Sequence, residues 1–286
     1  MTPLVSAAWL LEHHADHDLR IVDTRFALGQ PDAGRTAFSA GHLPGAVFVD
    51  LERDLSAPVR PDRVGGRHPL PEVSKLEVLF SSLGLGNAHH VVAYDDPSSG
   101  QGFYAAHLWW LLRYLGHDAV RVLDGGLPAW MAAGGTLETV ERAHPAAVFK
   151  AHVRPEMIVN ASEVLTRGEG TVLVDSRAPE RYRGAVEPLD VKAGHIPGAI
   201  NRNWADGMSG GHWKPADVQR ERFADLEAAE EVVVYCGSGV SAAGNLLALE
   251  LAGVKDAKLY AGSWSDWVSD ASRPIATGDD AHRDAL

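Results

Sequence analysis

The chain repeats itself, and this repeat constrains its fold more than any other feature of the sequence. Three short segments of the first half return in the second half in the same order, about 140 to 155 residues further on. The pairs are Val-Asp-Thr-Arg at 22–25 with Val-Asp-Ser-Arg at 174–177, Gly-His-Leu-Pro-Gly-Ala-Val at 41–47 with Gly-His-Ile-Pro-Gly-Ala-Ile at 194–200, and Val-Val-Ala-Tyr at 91–94 with Val-Val-Val-Tyr at 232–235. The length of 286 residues also suits two domains. We therefore predict a duplicated domain, with one copy over 1–143, a proline-containing linker over 144–158, and the second copy over 159–286.

Hydrophobic periodicity predicts the class of the fold. Short runs rich in β-branched residues are typical of buried strands, and the stretches between them carry apolar residues at the three- and four-residue spacing of helices. The predicted strands are 19–23, 47–50, 90–94, 119–123, 171–175, 231–235 and 257–260. The predicted helices are 6–17, 71–82, 103–115, 215–229 and 241–251. Strand and helix alternate, so we predict an α/β fold in which each domain is a parallel sheet with helices on both faces, and ligands bound at the carboxyl ends of the strands.

Composition argues against several classes of protein. The formal net charge is −12, which is unfavourable for a general nucleic-acid or anionic-membrane binder. No apolar run approaches the roughly 18 residues of a membrane span, and the N-terminal residues do not resemble a secretory signal, so we expect a cytoplasmic protein. Metal-ligand spacings and nucleotide-binding glycine motifs are absent from the sequence, so we predict neither a metal nor another cofactor.

The one cysteine, Cys236, lies where a reactive thiolate is expected. It follows the predicted strand 231–235 and begins the turn Cys-Gly-Ser-Gly-Val-Ser, after which a helix is predicted. The two glycines allow successive backbone N–H groups to point inward around an anion, and the positive end of the helix dipole adds to this effect. Both favour the thiolate, which is the nucleophilic form of the side chain. The alternative is an inert, small buried side chain.

Two other positions narrow the possible functions. Where the second half has Cys236, the first half reads Asp-Asp-Pro-Ser-Ser-Gly-Gln-Gly over 95–102, so we expect the first half to be catalytically silent. A strand, cysteine, loop and helix also serve phosphate-ester hydrolysis when an arginine six positions after the cysteine binds the phosphate. Here that position is Ala242, which argues against a phosphatase.

The duplicated Gly-His-x-Pro-Gly-Ala, the Asp-x-Arg after a strand in each half and the Cys-Gly-Ser-Gly-Val-Ser turn resemble the tandem-domain rhodanese superfamily over nearly the whole chain. The turn is similar to that of the 3-mercaptopyruvate sulfurtransferase branch, whereas the thiosulfate branch carries basic residues there. The resemblance implies an inactive first domain and a catalytic second one, whose cysteine takes sulfur from a donor as a persulfide. Because the chain has no second cysteine, the sulfur must leave to an external nucleophile.

Carried over by position, the resemblance implies roles for the residues of this turn. Cys236 would be the nucleophile. The cradle around its sulfur would be formed by Gly237, Ser238, Gly239 and Val240. Ser238 would be linked to His68 and Glu52, both from the first half. We expect His68 to move protons near neutral pH as the enolate of pyruvate forms.

Arginines of the second half are the candidates for binding the donor. Arg181 falls where the family places an arginine for the donor's carboxylate or sulfonate, and Arg183 is a second candidate. The alternative for Arg181 is a surface salt bridge. Members of the mercaptopyruvate branch often carry a further arginine after a Glu-Pro pair, where this chain has Leu189, so the preferred donor stays open. The turn 262–267 is expected to pack near the site, and the Asp-x-Arg pairs shared by both halves are expected to be structural.

The resemblance also sets the expected partners. The donor would be a small anionic sulfur compound, 3-mercaptopyruvate or thiosulfate, and the acceptor would be cyanide, a small thiol or a thioredoxin-like protein. Three alternatives stay open: a thiosulfate-specific sulfurtransferase, a non-catalytic sulfur carrier or binding module, and a redox sensor that uses the thiol.

Overall fold

The computed structural model describes residues 2–99 and 102–279, and their contacts divide the chain into two compact units. The described residues of the first unit come from Met1–Ala57, Pro71–Arg154 and Ser209–Trp213, and those of the second come from Pro58–Leu70, Pro155–Met208 and Lys214–Leu286. Residues 58–70 thus belong to the second unit, although most of the first unit follows them in the sequence. The predicted domain bounds stay a prediction.

The first unit is a five-stranded sheet flanked by helices. Its strands are β1 (Leu4–Val5), β2 (Leu19–Asp23), β3 (Val47–Phe48), β4 (His90–Tyr94) and β5 (Val120–Leu123). Its helices are α1 (Ala7–His13), α2 (Ala33–Ala40), α3 (Val73–Ser82), α4 (Tyr104–Tyr114) and α5 (Gly126–Ala132). The strands lie in the order β1-β5-β4-β2-β3, and neighbouring strands are parallel.

The second unit repeats this architecture. Its sheet contains β6 (Ile158–Val159), β7 (Thr171–Asp175), β8 (Ala199–Asn201), β11 (Glu231–Tyr235) and β12 (Lys258–Tyr260). The strands β9 (Met208–Ser209) and β10 (His212–Trp213) form a separate two-stranded sheet, of which Ser209–Trp213 belongs to the first unit. Its helices are α6 (Ala161–Leu165), α7 (Pro179–Tyr182), α8 (Ala216–Arg222), α9 (Ala242–Ala252) and α10 (Ser263–Trp267). The parallel order β6-β12-β11-β7-β8 matches the order in the first unit position by position, which confirms the predicted duplication of a parallel α/β sheet.

Both faces of the second sheet are covered by helices. Side chains alternate along a strand, so Leu173, Val233 and Tyr235 share one face, where they pack against α6, α7 and α10. The strands β11 and β12 also contact α9, which is buried along most of its length. The central strand β11 is therefore enclosed on both sides, and its carboxyl end opens into the loop that carries Cys236. Among the described residues, no helix is both long enough and apolar enough to cross a membrane.

A buried ion pair fixes the end of β7, the strand next to β11. Arg177 donates from Nε to Asp175 at 3.0 Å and from Nη2 to Asp175 at 2.5 Å, and Nη2 also donates to the carbonyl of Gly194 at 2.7 Å. The first unit has the equivalent contacts between Arg25, Asp23 and Gly41. In both units this pair ties the strand end to the Gly-His-x-Pro turn, which is a structural role.

Candidate active site

Cys236 is the first residue after the central strand, and it is only 1% exposed. Its backbone is held by the turn that begins α10. The N–H of Cys236 donates to Ser263 Oγ at 3.1 Å, and its carbonyl accepts the N–H of Trp264 at 3.0 Å. Ser263 adopts a φ of 53°, a conformation that strains a residue with a side chain and is common at functional sites. The turn 262–267 therefore packs directly against the cysteine.

The loop after Cys236 presents a row of backbone N–H groups. Within the described part of the chain, none of the N–H groups of residues 237–242 has a hydrogen-bond acceptor. Most of this loop is buried, and buried N–H groups are nearly always paired in proteins. Gly239 has a φ of 84°, and a Cβ atom placed on it would lie 2.3 Å from the carbonyl oxygen of Ala261. The loop is thus built as a cradle for an anion, with the N-terminus of α9 behind it.

Ser238 and His68 form a hydrogen-bonded pair beside this loop. His68 Nδ1 lies 2.8 Å from Ser238 Oγ, although the two residues are 170 positions apart. Their residual exposures are 7% for Ser238 and 9% for His68. The structure therefore brings together two members of the predicted trio in a place that largely excludes water.

Backbone contacts hold the His68 segment in the second unit. The N–H of Gly65 donates to Asp266 Oδ1 at 2.9 Å, and the N–H of Arg67 donates to Ser265 Oγ at 2.9 Å. These contacts reach the same turn that holds Cys236. They explain why residues 58–70 group with the second unit.

The environment of His68 keeps its ring neutral. Burial disfavours the imidazolium ion, and the positive charge of Arg67 adds to this effect, so the pKa of His68 falls from 6.5 to about 4. We expected a histidine that titrates near neutral pH. The structure instead gives an imidazole that is neutral over the whole neutral range, so that one ring nitrogen can accept a hydrogen bond while the other carries a hydrogen.

This lowered pKa predicts how stability depends on pH. As the pH falls from 6.5 towards 4, the unfolded chain binds a proton at His68 that the folded chain does not bind, so the folded state loses stability, by about 3 kcal/mol at pH 4. We expect the ring Cε1 proton shift of His68, assigned with His68→Gln, to stay constant by NMR between pH 8 and pH 5. An inflection near pH 6.5 would contradict this environment.

Of the two arginines predicted to bind the donor, Arg181 lies at the loop. A Cβ atom placed on Gly237 would lie 3.4 Å from Nη1 and Nη2 of Arg181, and Nη2 pairs with Glu187 at 2.7 Å. The side chain of Arg183 is 44% exposed and pairs with Asp279 at 3.3 Å. The described contacts of Arg183 do not connect it to the loop.

Glu52, the third member of the predicted trio, belongs to the first unit. It lies in the turn after β3, where its N–H donates to Asp50 Oδ1 at 2.9 Å and the N–H of Arg53 donates to the same oxygen at 2.9 Å. The backbone around Glu52 is therefore fixed. Its link to His68 stays a prediction.

The first unit has an aspartate where the second has its cysteine. Asp95 follows β4 as Cys236 follows β11, and Asp95 Oδ2 accepts the N–H of Ala105 at 3.0 Å. Burial raises the pKa of Asp95 to about 7. Two residues of the predicted loop, Gly100 and Gln101, lie outside the described residues. Because the Asp95 carboxyl group accepts a hydrogen bond from the start of α4, it has a structural role, and it provides no thiol nucleophile.

Arg67 is a residue of this site that the sequence analysis did not single out. Its Nη2 would lie 3.0 Å from a Cβ atom placed on Gly237, and its Nη1 is paired with Asp190. The only available signal was its position next to His68. Taken together, the site can hold an anionic sulfur, bind a small anion with arginine and move a proton through Ser238 and His68.

Comparisons with known proteins agree with this chemistry. The Rhodanese-like domain family matches residues 6–133 and again residues 160–270. The "Probable 3-mercaptopyruvate sulfurtransferase" of Pseudomonas aeruginosa is 45% identical over 283 residues, which cover 96% of this chain and 98% of that protein. The "Thiosulfate sulfurtransferase" of Corynebacterium glutamicum is 31% identical over 290 residues, with 96% and 91% covered.

Comparison with solved structures indicates the same family. SseA from Escherichia coli, described as a 3-mercaptopyruvate sulfotransferase with the rhodanese fold, matches with a TM-score of 0.79 and 35% identity, covering 93% of this chain and all of that one. The 3-mercaptopyruvate sulfurtransferase from Leishmania major matches with a TM-score of 0.79 and 27% identity, covering 92% of this chain and 73% of that one.

Proposed function

The chain belongs to the rhodanese family, and on that premise we propose that it is a sulfurtransferase that takes sulfur from 3-mercaptopyruvate. One observation carries the proposal: Cys236 is buried at the start of a loop whose N–H groups point to no acceptor among the described residues. Cys236 is the proposed nucleophile. The proposed cradle is formed by Gly237, Ser238, Gly239 and Val240.

In the first half-reaction, the Cys236 thiolate attacks the sulfur of 3-mercaptopyruvate. A bond forms between the two sulfur atoms, the bond from sulfur to the donor's methylene carbon breaks, and its electron pair leaves with the enolate of pyruvate. The proton of the donor's thiol passes to the enolate carbon, so the products are pyruvate and an anionic persulfide. The N–H groups of residues 237–242 support this step because they stabilise an anionic sulfur before and after transfer.

Ser238 and His68 are the proposed path for that proton. Because His68 is neutral, its Nδ1 can accept the hydrogen of the Ser238 hydroxyl. Ser238 then takes the proton of the donor's thiol and gives it to the enolate carbon, and His68 returns the hydrogen to Ser238, so that both side chains end in their starting states. Glu52 is the proposed third member, whose carboxylate would orient the His68 ring. The first domain is proposed to be catalytically silent.

Replacing Ser238 with alanine is expected to slow persulfide formation by about 100-fold, the usual effect of losing a proton-transfer group. Transfer from a preformed persulfide to cyanide needs no such group and is expected to keep its rate. Stopped-flow measurement of each half-reaction separates the two steps, with Ser272→Ala, an exposed serine of the same unit, as the control. An equal loss in both half-reactions would contradict the assigned role.

In the second half-reaction, an acceptor removes the sulfur. Cyanide forms a carbon–sulfur bond with the outer sulfur, the sulfur–sulfur bond breaks, and the electron pair returns to the Cys236 thiolate. A small thiol or a thioredoxin-like protein is the other proposed class of acceptor, because the chain has no second cysteine that could release the sulfur itself. A cytoplasmic location is also proposed, since a single unpaired cysteine suits a reducing compartment.

Thiosulfate is the second candidate donor. Leu189 stands where the mercaptopyruvate branch often has an arginine, and the Corynebacterium glutamicum relative is named for thiosulfate. Arg181 could bind a sulfonate as well as a carboxylate.

Two-substrate kinetics test the proposal. With 3-mercaptopyruvate and cyanide, we expect double-reciprocal lines that stay parallel, equal amounts of pyruvate and thiocyanate, and a higher kcat/KM than with thiosulfate. A higher kcat/KM with thiosulfate would reverse the donor assignment. No product from either donor would favour a binding module or a redox sensor.

A further inference from the structure

We propose that the first unit has a ligand site of its own, which binds a small α-amino acid with an apolar side chain. The site is a cavity of about 170 Å³ at the carboxyl end of the first sheet. This volume lies below the roughly 300–1,000 Å³ of sites for drug-sized ligands, so it suits a small metabolite. The inference does not depend on sulfur transfer, because the described residues that line the cavity all belong to the first unit.

The cavity lies where ligands bind in parallel α/β sheets. Arg25 and Phe26 follow β2, and Asp96 follows the neighbouring strand β4. The rest of the described lining consists of the first residue of α4 and four small residues, which are Tyr104, Ala27, Ala33, Gly34 and Ala37. Sheets of this kind hold their ligands outside the carboxyl ends of the strands. The position therefore indicates a ligand site, and the phenylalanine and alanines give it an apolar wall.

Arg25 is a buried cation that lines this cavity. Its side chain is 10% exposed, and its Nε and Nη2 atoms donate to Asp23 and to the carbonyl of Gly41. Among the described residues, its Nη1 has no acceptor. A guanidinium carries five N–H groups, so Arg25 can keep its structural contacts and also bind the carboxylate of a ligand.

The duplication of the chain offers an internal comparison. In the second unit, the equivalent Arg177 donates from Nη1 to Glu187 at 3.3 Å, and its side chain is only 1% exposed. In the described part of the first unit, no carboxylate accepts a hydrogen bond from Nη1 of Arg25. One copy of the duplicated arginine is thus paired with the protein through Nη1, whereas the other lines a cavity.

Asp96 adds a negative charge to the same cavity. Its Oδ1 accepts the N–H of Ser98 at 3.0 Å, which fixes the carboxylate in a turn. Burial lowers the pKa of Arg25, but the charges of Asp23 and Asp96 raise it above its usual value, so Asp96 lies close enough to interact with the guanidinium. A simple anion would be repelled by Asp96. An α-amino acid instead has a carboxylate for Arg25 and an ammonium group for Asp96.

Three ligands with one carbon skeleton test the proposal. L-Valine has both charges, isovalerate lacks only the ammonium group, and isobutylamine lacks only the carboxylate. By isothermal titration calorimetry we expect saturable binding of L-valine and at least about tenfold weaker binding of the other two, the usual effect of losing a charged hydrogen bond. Asp96→Asn is expected to weaken L-valine binding about as much, and to strengthen isovalerate binding because the repelling charge is gone.

Variants of α2 locate the site. Ala37→Leu fills the cavity from one wall and is expected to abolish L-valine binding. Ala40→Leu is the matched control, since Ala40 is exposed on the same helix outside the described lining, and it should bind L-valine like wild type. If Ala37→Leu does not fold, Asp96→Asn carries the test, because Asp96 lies in the turn after β4 rather than in a packed element.

The outcomes that would overturn the inference are specific. They are no binding of L-valine, binding that survives Ala37→Leu, and isovalerate that binds as tightly as L-valine. Cys236→Ser is expected to bind L-valine like wild type, and a loss of binding there would place the ligand in the second unit and also overturn the inference. Protein that binds L-valine as described but turns over no sulfur donor would contradict the proposed function and support this site.

Discussion

Replacing Cys236 with serine is expected to lower the turnover of 3-mercaptopyruvate by roughly 10⁴-fold or more, as the loss of a covalent nucleophile does in other enzymes. A serine hydroxyl is scarcely ionised at neutral pH, and it cannot form the sulfur–sulfur bond on which both half-reactions depend. The substitution changes one buried atom and leaves the backbone contacts of residue 236 with Ser263 and Trp264 unchanged. We therefore expect the variant to lose turnover of 3-mercaptopyruvate while it stays folded.

Pyruvate and thiocyanate release measure this loss, and the melting temperature measures the fold. Ser272→Ala, on an exposed loop of the same unit, is the control for handling and expression. Residual turnover above a hundredth of the wild-type rate would mean that another group accepts the sulfur. Such a result would remove Cys236 from the reaction.

Replacing Arg177 with methionine is expected to destabilise the second unit by about 3 to 5 kcal/mol, the cost of leaving buried charges unpaired. The Arg177 side chain is 1% exposed, and it pairs with Asp175 at 2.5 Å and with Glu187 at 3.3 Å. Without the guanidinium, both carboxylates would stay buried with one partner fewer. Glu187 also holds Arg181, so the loss should reach the active site.

Urea denaturation followed by tryptophan fluorescence measures this free energy. Arg183→Met is the matched control, because Arg183 lies in the same unit with a side chain 44% exposed and pairs with Asp279, whose side chain is 80% exposed. An exposed pair contributes little, so the control should stay close to wild type. A loss below about 1 kcal/mol for Arg177→Met would contradict the structural role of the pair.

Sequence patterns predict the bounds of four inner strands to the residue, but they do not predict the bounds of the strands at the edges of the sheets. The predictions at 19–23, 90–94, 171–175 and 231–235 match β2, β4, β7 and β11, because strands buried on both faces are continuous apolar runs. The edge strands β1 and β6 have two residues each, which is too short for a pattern, and β8 was also missed.

Helix ends were less accurate than helix positions. The predicted helix 215–229 ends at Arg222, and the chain continues as a 3-10 turn over Ala224–Leu226. The predicted helix 6–17 ends at His13. The spacing of apolar residues does not show where a cap or a 3-10 turn ends the regular hydrogen bonding of a helix.

The residues of the site differ in the same way: some can be predicted from their neighbours in the sequence, and others depend on long-range contacts. Cys236 and its glycines could be found from sequence because a strand, a tight turn and a helix N-terminus are adjacent in the chain. Arg67 could not, because nothing local predicts that the segment 58–70 bonds to Ser265 and Asp266, about 200 positions away. Likewise, the neutral state of His68 depends on burial, which the sequence around it does not reveal.

Intact mass spectrometry of the purified protein tests the central claim most directly. After incubation with 3-mercaptopyruvate, we predict a gain of one sulfur atom located on Cys236, and its complete loss after addition of cyanide. An unchanged mass in wild-type protein, or a gain that persists in Cys236→Ser, would contradict a persulfide mechanism at this residue.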